Sequence, residues 1–375
     1  MELRVEKDVL NGGLQAVAGV APARPTAPIL ANALLEADGE TLTLSATNLD
    51  LGVRCTIPAA VKVAGSVTLP VRKLAAIARA LPSAAVDLVA QKGGGAVKIS
   101  GGGSLFRLAT LAVEDFPGLS EPDGPSQQLS LPAGELLGLL RLVDYAQSAD
   151  EDRHILHGIH FRFADDSLTI VATDGRRLAA ISRPDSPGDG AVTIPARTVT
   201  TLKELLAGGT TASIAFSPRQ FSFAIDYPES VAAPRSVYGV SKVVEGAYPN
   251  YRQVIPGATR YRVRLAREVL LDALQRVTLV SSGTAPSVQL KFSQDLLELS
   301  SSSPEYGEAH ERLAVPFPAG EGLEIAFNPR YLVEPLRALS DEELFLELRD
   351  SLDPCVLRRT DSFLCVVMPL RTGSA

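Results

Sequence analysis

Three of the four histidines, His154, His157 and His160, fall within seven residues. On a helix that spacing would turn imidazoles toward one face, as a transition-metal site requires. The stretch Ile155-Leu156-His157-Gly158-Ile159-His160-Phe161-Arg162-Phe163 alternates instead. That predicts a strand with His154 and His160 on one side and His157 on the other, so no metal site is expected. Asp174, in Thr173-Asp174-Gly175-Arg176-Arg177, is a candidate general acid or base. No second carboxylate or nucleophile accompanies it at an informative spacing, and Asp-Gly favours a tight turn. Gly93-Gly94-Gly95 resembles a phosphate loop superficially, but a strand-like alternation, Ala96 to Ser100, follows where a helix is needed, so a hairpin turn is expected. The motifs GxxxxGK[ST], GxSxG and HExxH are absent. These residues predict no enzyme and no cofactor.

The chain that must position them has 375 residues, a length of two or three domains. A hydrophobic fraction of 46% and a charged fraction of 21% exclude disorder as the main state. No apolar run reaches the roughly 18 residues of a membrane span. The acidic, alternating start Met1-Glu2-Leu3-Arg4-Val5-Glu6-Lys7-Asp8 is no signal peptide. Three cysteines (Cys55, Cys355, Cys365) without a CxxC pair predict a reducing, cytoplasmic setting with no disulfide framework. A net charge of −7 argues against a simple nucleic-acid coat but allows one basic face on an acidic body.

The sequence repeats. Leu10, Leu14 and Val17 recur as Leu136, Leu140 and Val143, then as Leu270, Leu274 and Val277. Leu42-Thr43-Leu44-Ser45-Ala46-Thr47-Asn48 resembles Leu168-Thr169-Ile170-Val171-Ala172-Thr173-Asp174, with Leu297 to Ser302 as a degenerate third copy. Val67 to Arg72, Val192 to Arg197 and Ile325 to Arg330 stand in step, and Phe116-Pro117 matches Tyr248-Pro249. Three copies of one unit follow, at 1–122, 128–255 and 261–375. Each reads as helix, strands, second helix, more strands: an α+β unit with an antiparallel sheet and two helices on one side. The second helices are expected over Lys73 to Leu81, Thr198 to Leu206 and Tyr331 to Leu339, with a kink or late start at Pro335. Linkers are expected near Glu121 to Gln127 and Pro256 to Thr259. The second helices, taken with the arginine before each, carry seven basic residues (Arg72, Lys73, Arg79, Arg197, Lys203, Arg330, Arg337) against Glu204 and Glu334. That bias fits helices facing a polyanion without reading its sequence.

Ala172 to Leu178, Tyr248-Pro249-Asn250-Tyr251, Phe327-Asn328-Pro329-Arg330-Tyr331-Leu332, Arg24 to Leu30 and the terminal Val366-Val367-Met368-Pro369-Leu370-Arg371 together resemble the bacterial replicative sliding clamp, the beta subunit of DNA polymerase III. The resemblance spans essentially the whole chain. It implies a head-to-tail homodimeric ring of six similar domains around duplex DNA, loaded by a separate ATP-driven clamp loader. Such a ring is a non-catalytic processivity factor for the replicative polymerase. The DNA-facing candidates are Arg24, Arg72, Lys73, Arg79, Arg141, Arg153, Arg197, Lys203 and Arg337. Phe106 and Leu108, with Leu279 and Val280, align with the apolar dimer interface.

The resemblance also implies a groove between the second and third units for short linear peptides of the polymerase, the loader and repair proteins. The matching positions on the central unit are Leu156, Thr173, Gly175, Arg176, Arg177, Leu178, Pro249, Gln253 and Val254. On the third unit they are Asn328, Tyr331, Leu352, Val366, Met368, Pro369, Leu370 and Arg371. Aliphatic and Met walls suit varied apolar ligands, while Arg and Asn fix a peptide backbone. Gln253 stands where the family frequently has Arg. Two rivals stand beside this reading: a repeat-built peptide-binding scaffold that does not encircle DNA, and an enzyme using Asp174 with a histidine.

Overall fold

The computed structural model describes residues 1–91, 95–119, 127–228, 234–281, 286–360 and 362–371. Three successive stretches of chain share one order of elements. The first runs β1 (Glu2–Glu6), α1 (Lys7–Ala18), β2 (Asn32–Asp38), β3 (Thr41–Thr47), β4 (Leu51–Pro58), β5 (Ala60–Val63), β6 (Gly65–Pro70), α2 (Val71–Ala80), β7 (Ala85–Ala90), β8 (Ala96–Gly101) and β9 (Ser104–Ala109). The second runs β10 (Gln127–Pro132), α3 (Ala133–Arg141), β11 (Gly158–Ala164), β12 (Ser167–Thr173), β13 (Arg177–Pro184), β14 (Gly190–Pro195), α4 (Ala196–Leu206), β15 (Thr211–Phe216), β16 (Gln220–Asp226) and β17 (Ser236–Lys242). The third runs β18 (Tyr261–Ala266), α5 (Arg267–Val277), β19 (Val288–Ser293), β20 (Leu296–Ser303), β21 (Gly307–Ala314), β22 (Leu323–Phe327), α6 (Pro329–Ala338), β23 (Glu343–Leu348), β24 (Cys355–Thr360) and β25 (Phe363–Val367). The small β5 is the one extra strand of the first copy. The fold is α+β, built from three repeated units.

A strand precedes the first helix of every copy, an element the sequence reading passed over. Its signal is short: Leu3 and Val5, Leu129 and Leu131, and Val263 and Leu265 alternate with polar residues.

The chain forms two compact units, Met1–Gly138 with Arg197–Val243, and Leu139–Ala196 with Val244–Ala375. The division cuts the second repeat in two. In the first unit an eight-stranded antiparallel sheet has the order β10-β15-β16-β17-β4-β3-β2-β6, so β17 of the second repeat pairs with β4 of the first. In the second unit the order β14-β11-β12-β13-β25-β24-β23-β18 joins β13 of the second repeat to β25 of the third. The remaining halves form a five-stranded sheet, β5-β1-β7-β8-β9, in the first unit and a four-stranded sheet, β21-β20-β19-β22, in the second.

The cores follow the apolar faces. Leu10, Leu14 and Val17 of α1 are fully buried, as are Leu274 of α5 and Leu336 of α6. Gly13 lets α1 sit directly on the sheet, because a Cβ there would meet Leu44 and Ile57 at 2.7 and 2.9 Å.

Three expectations need correction or placement. The expected strand from Ile155 begins only at Gly158: Glu151–Leu156 is a 3₁₀ segment that holds His154. Asp150 accepts the Asp152 N–H there at 3.1 Å, and this local capping overrides the alternation. Helix α6 starts at Pro329 under an Asn328 cap rather than late, and it runs through Pro335. The buried Leu332 and Leu336 hold it, and the Leu336 carbonyl accepts from Arg267 at 3.0 Å. Gly93 and Gly94 lie outside the described residues, as do 121–126 of the expected first linker. Strands β7 and β8, on either side of those glycines, pair antiparallel.

Candidate functional site

The turn between β12 and β13 is fixed by its own side chains. The Thr173 hydroxyl donates to the Arg177 carbonyl at 2.6 Å and accepts the Gly175 N–H at 3.1 Å. Asp174 Oδ1 accepts the N–H groups of Arg176 and Arg177 at 2.9 and 3.0 Å. Gly175 has φ +83°, a conformation glycine adopts without strain. Asp174 is therefore a turn former.

Arg177 is 5% exposed, and its guanidinium is committed on several sides. Nε meets Asp174 Oδ2 at 3.2 Å, Nη2 donates to the Tyr145 carbonyl at 2.5 Å, and Nη1 bonds the Glu334 carboxylate of α6. It lies over the Tyr331 ring at 4.6 Å. Arg177 is one of the groove candidates. The structure places it below the surface, tying the turn to α6.

Cross-strand pairing sets Arg177 beside Val367 and Leu178 beside Val366. Leu178 and Val366 are buried in one cluster with Tyr251 and Val356, against which Tyr248 and Ile255 pack. The outgoing tail crosses this cluster: the Met368 N–H donates to the Arg176 carbonyl at 2.9 Å and the Leu370 N–H to the Ala326 carbonyl at 2.7 Å. Met368, 41% exposed, stays at the surface, as do Arg176, Pro249, Gln253 and Val254. Thr173, Leu156, Tyr331, Asn328, Pro369 and Leu370 are half-buried, and Gly175 and Arg371 are exposed. The second unit thus carries an apolar floor with exposed side chains around it. Leu352 stands apart, exposed in the turn between β23 and β24, where its N–H is held by Asp350.

The histidines take unrelated positions. His157 Nδ1 contacts the Ser148 carbonyl at 2.8 Å. His160 stacks on Tyr248 with centroids 4.3 Å apart and contacts Thr193 Oγ1 at 3.0 Å. Burial, with Arg162 nearby, lowers its pKa to about 4, so it is neutral near pH 7. Among the described residues no group of three His, Cys, Asp or Glu side chains is placed to hold a metal. All three cysteines are free and buried, and burial pushes the Cys55 and Cys365 thiols up to about 12, far from a reactive thiolate.

Of the basic candidates, Arg24, Arg72, Lys73, Arg79, Arg141, Arg153, Arg197 and Arg337 are exposed, and Lys203 is half-buried. Arg72 and Arg197, one repeat apart, each give an Nη2 donor to the segment that follows α1, to the Ala21 carbonyl at 3.1 Å and the Val20 carbonyl at 2.9 Å. Arg153 bonds the Asp174 carbonyl at 3.2 Å. The apolar candidates border two free sheet edges. Phe106 is exposed and Leu108 half-buried on β9. Leu279, 81% exposed, and half-buried Val280 lie in a 3₁₀ turn packed beside β21.

Repeats that share sheets across their boundaries, with β9 and β21 at sheet edges, define a repeat-built α+β protein. Models of the DNA polymerase III beta subunit match three times: the N-terminal domain over residues 1–120, the central domain over 130–250 and the C-terminal domain over 252–371. The chain is 33% identical to a beta sliding clamp of Synechococcus elongatus, with all of both chains covered. It is 31% identical to one of Vibrio cholerae, over 99% of this chain and all of the other. The solved sliding clamp of Bartonella birtlesii bound to griselimycin matches with a TM-score of 0.91 at 32% identity, covering 99% of this chain and 100% of the other. The clamp of Caulobacter crescentus matches with 0.89 at 31%, with the same coverage. The chain belongs to the DNA polymerase III beta subunit family, the non-catalytic sliding clamps of DNA replication. No helix among the described residues is long and apolar enough to cross a membrane.

Proposed function

We propose that the protein acts in the bacterial cytoplasm as a homodimeric ring around duplex DNA, a processivity factor tethering the replicative polymerase and repair proteins. Its three domains are read at 1–122, 128–255 and 261–375. The observation carrying this reading is the pattern of sheet pairing. Wherever one repeat meets the next inside the chain, a last strand pairs with a fourth strand: β17 with β4, and β25 with β13. The corresponding strands left over are β9 and β21, both at sheet edges. Pairing β9 of one copy with β21 of a second completes the pattern head to tail, and a two-fold rotation closes it. The register of the internal junctions, carried to these strands, sets Arg107 of one copy opposite Glu308 of the other, with Phe106 opposite Ala309. Phe106, Leu108, Leu279 and Val280 would then be covered.

Sequence-independent DNA contact falls to Arg24, Arg72, Lys73, Arg79, Arg141, Arg153, Arg197, Lys203 and Arg337, of which Arg72, Arg153 and Arg197 also bond the carbonyls of Ala21, Asp174 and Val20. The peptide groove is read on the second unit: Leu178 and Val366 as floor, Met368, Pro249 and Val254 as walls, and Arg176, Gln253, Asn328 and Arg371 as polar contacts. Leu156, Thr173, Gly175, Arg177, Tyr331, Leu352, Pro369 and Leu370 complete it. The clamp loader and the polymerase would reach it through short peptides. No cofactor is proposed.

The test is retention in high salt after loading by a clamp loader and ATP, on a nicked circle and on the same DNA linearised. Salt removes phosphate contacts but leaves a closed ring intact. Retention on the circle with loss from the line is expected. Equal loss from both, with a control clamp retained, overturns encirclement and favours the scaffold.

A further inference from the structure

The first unit contains the Thr173 turn a second time. Between β3 and β4 the Thr47 hydroxyl donates to the Leu51 carbonyl at 3.2 Å and accepts the Leu49 N–H at 3.0 Å. Asn48 Oδ1 accepts the N–H groups of Asp50 and Leu51 at 3.0 and 2.7 Å. Each bond has its counterpart in the turn of Thr173 and Asp174, 126 positions on. Gly52 pairs with Val240 as Leu178 pairs with Val366. Pro117 corresponds to Pro249.

Beside this turn is a cavity of ≈ 210 Å³ lined by Leu49, Gly52, Pro117, Leu119, Gln220 and Val240, among others. Small-molecule pockets run from about 300 Å³ upward, so this cavity suits one large side chain rather than a whole cofactor. Two details mark it as built for an occupant. Gln220, one of its lining residues, has a buried Oε1 with no hydrogen-bond partner among the described residues. An unpaired buried acceptor is unfavourable until a donor arrives. Leu49, at the position of Gly175, has φ +76° and is 53% exposed at the rim. A non-glycine residue in that conformation is strained, and strain of this kind concentrates at ligand sites.

The chemistry differs from that of the second unit. Asp50 replaces Arg176 and Lys242 replaces Met368, and these two form an exposed ion pair at 3.0 Å, leaving the mouth neutral. Gly52 replaces Leu178, and Leu119 fills the volume a side chain there would take, 2.1 Å from the Cβ position. Leu119 thus supplies the floor from the other side.

We propose that this cavity is a second peptide site, one per chain. It takes a neutral extended segment with one large aliphatic side chain between Leu49, Leu119 and Val240 and a backbone N–H directed at Gln220 Oε1. The inference rests on the peptide-groove reading of the second unit for the class of ligand.

The experiment uses the full-length protein with methyl-labelled Leu and Val and two probes, acetylated and amidated pentapeptides with a central Leu flanked by Ser or by Asp. Saturable shifts at Leu49, Leu119 and Val240 with the Ser-flanked probe are expected, weaker with the Asp-flanked one. Gln220→Leu should weaken that binding five- to tenfold, the equivalent of one hydrogen bond. Leu49→Gly, which keeps the turn but removes one apolar wall of the cavity, should weaken it as well. Shifts confined to Leu178 and Val366 would overturn the second site and leave the groove reading intact. Shifts at neither cluster would overturn both.

Discussion

Arg177 on β13 and Glu334 on α6, 157 positions apart, form an ion pair with the arginine fully enclosed. Asp174 and Arg330 extend the network on either side, with Arg330 Nε 2.8 Å from Glu334 Oε1. Removing one partner of a buried pair leaves an uncompensated charge. Glu334→Ala is expected to destabilise the protein by about 3 kcal/mol in chemical denaturation. It should also weaken peptide binding, because α6 and the Thr173 turn lose their tie. Unchanged peptide affinity in the folded variant would separate Arg177 from the groove.

Arg72 and Arg197 give a second prediction. Val20 and Ala21 are buried, and α1 has no basic residue in its last turn. The two guanidinia satisfy buried carbonyls in the segment just past the helix end. Arg72→Gln and Arg197→Gln should each cost about 1–3 kcal/mol and raise hydrogen exchange over residues 19–31, the segment carrying Arg24. Arg79→Gln should leave exchange there unchanged. Equal exchange in all three variants would reduce Arg72 and Arg197 to surface charges.

The free edges make a third. Arg107→Glu or Glu308→Arg alone should shift the dimer toward monomers in sedimentation at micromolar concentration, since like charges would then face one another across the strands. The double variant should recover the dimer. Failure of recovery would mean that the register of the internal junctions does not carry over.

His160 sets the pH dependence. Its pKa in the folded protein is about 4, below the ordinary 6.5, so the unfolded chain binds the proton more readily. Its contribution is complete above pH 6.5 and is lost as pH falls toward 4, by roughly 3 kcal/mol for a shift of that size. His160→Gln should flatten the decline in melting temperature between pH 6.5 and 4. An identical decline in the variant would place the acid sensitivity elsewhere.

Much of this was legible in the sequence because it is local. The apolar faces of α1 and α5 and the side-chain bonds of the Thr47 and Thr173 turns follow from neighbouring residues. What was not legible depends on distant partners. Nothing near Arg177 announces Glu334, and nothing near Arg72 announces the carbonyl of Ala21. Pro335 argues against a helix by itself, yet the buried leucines around it decide otherwise. The strands before α1, α3 and α5 were missed because five or six alternating residues carry little signal, and partner strands define them.

The sheets that run across repeat boundaries have a consequence for dilution. A junction within the chain, β17 with β4 or β13 with β25, keeps its partner at a fixed effective concentration however dilute the protein becomes. The β9 and β21 edges would have no such guarantee, because in the proposed ring each pairs with the other on a second molecule. In a ring of two chains four junctions are therefore indifferent to concentration and two obey mass action. Opening of that proposed ring, whether by dilution or by a loading machine, would begin at β9 and β21 and leave the internal junctions closed.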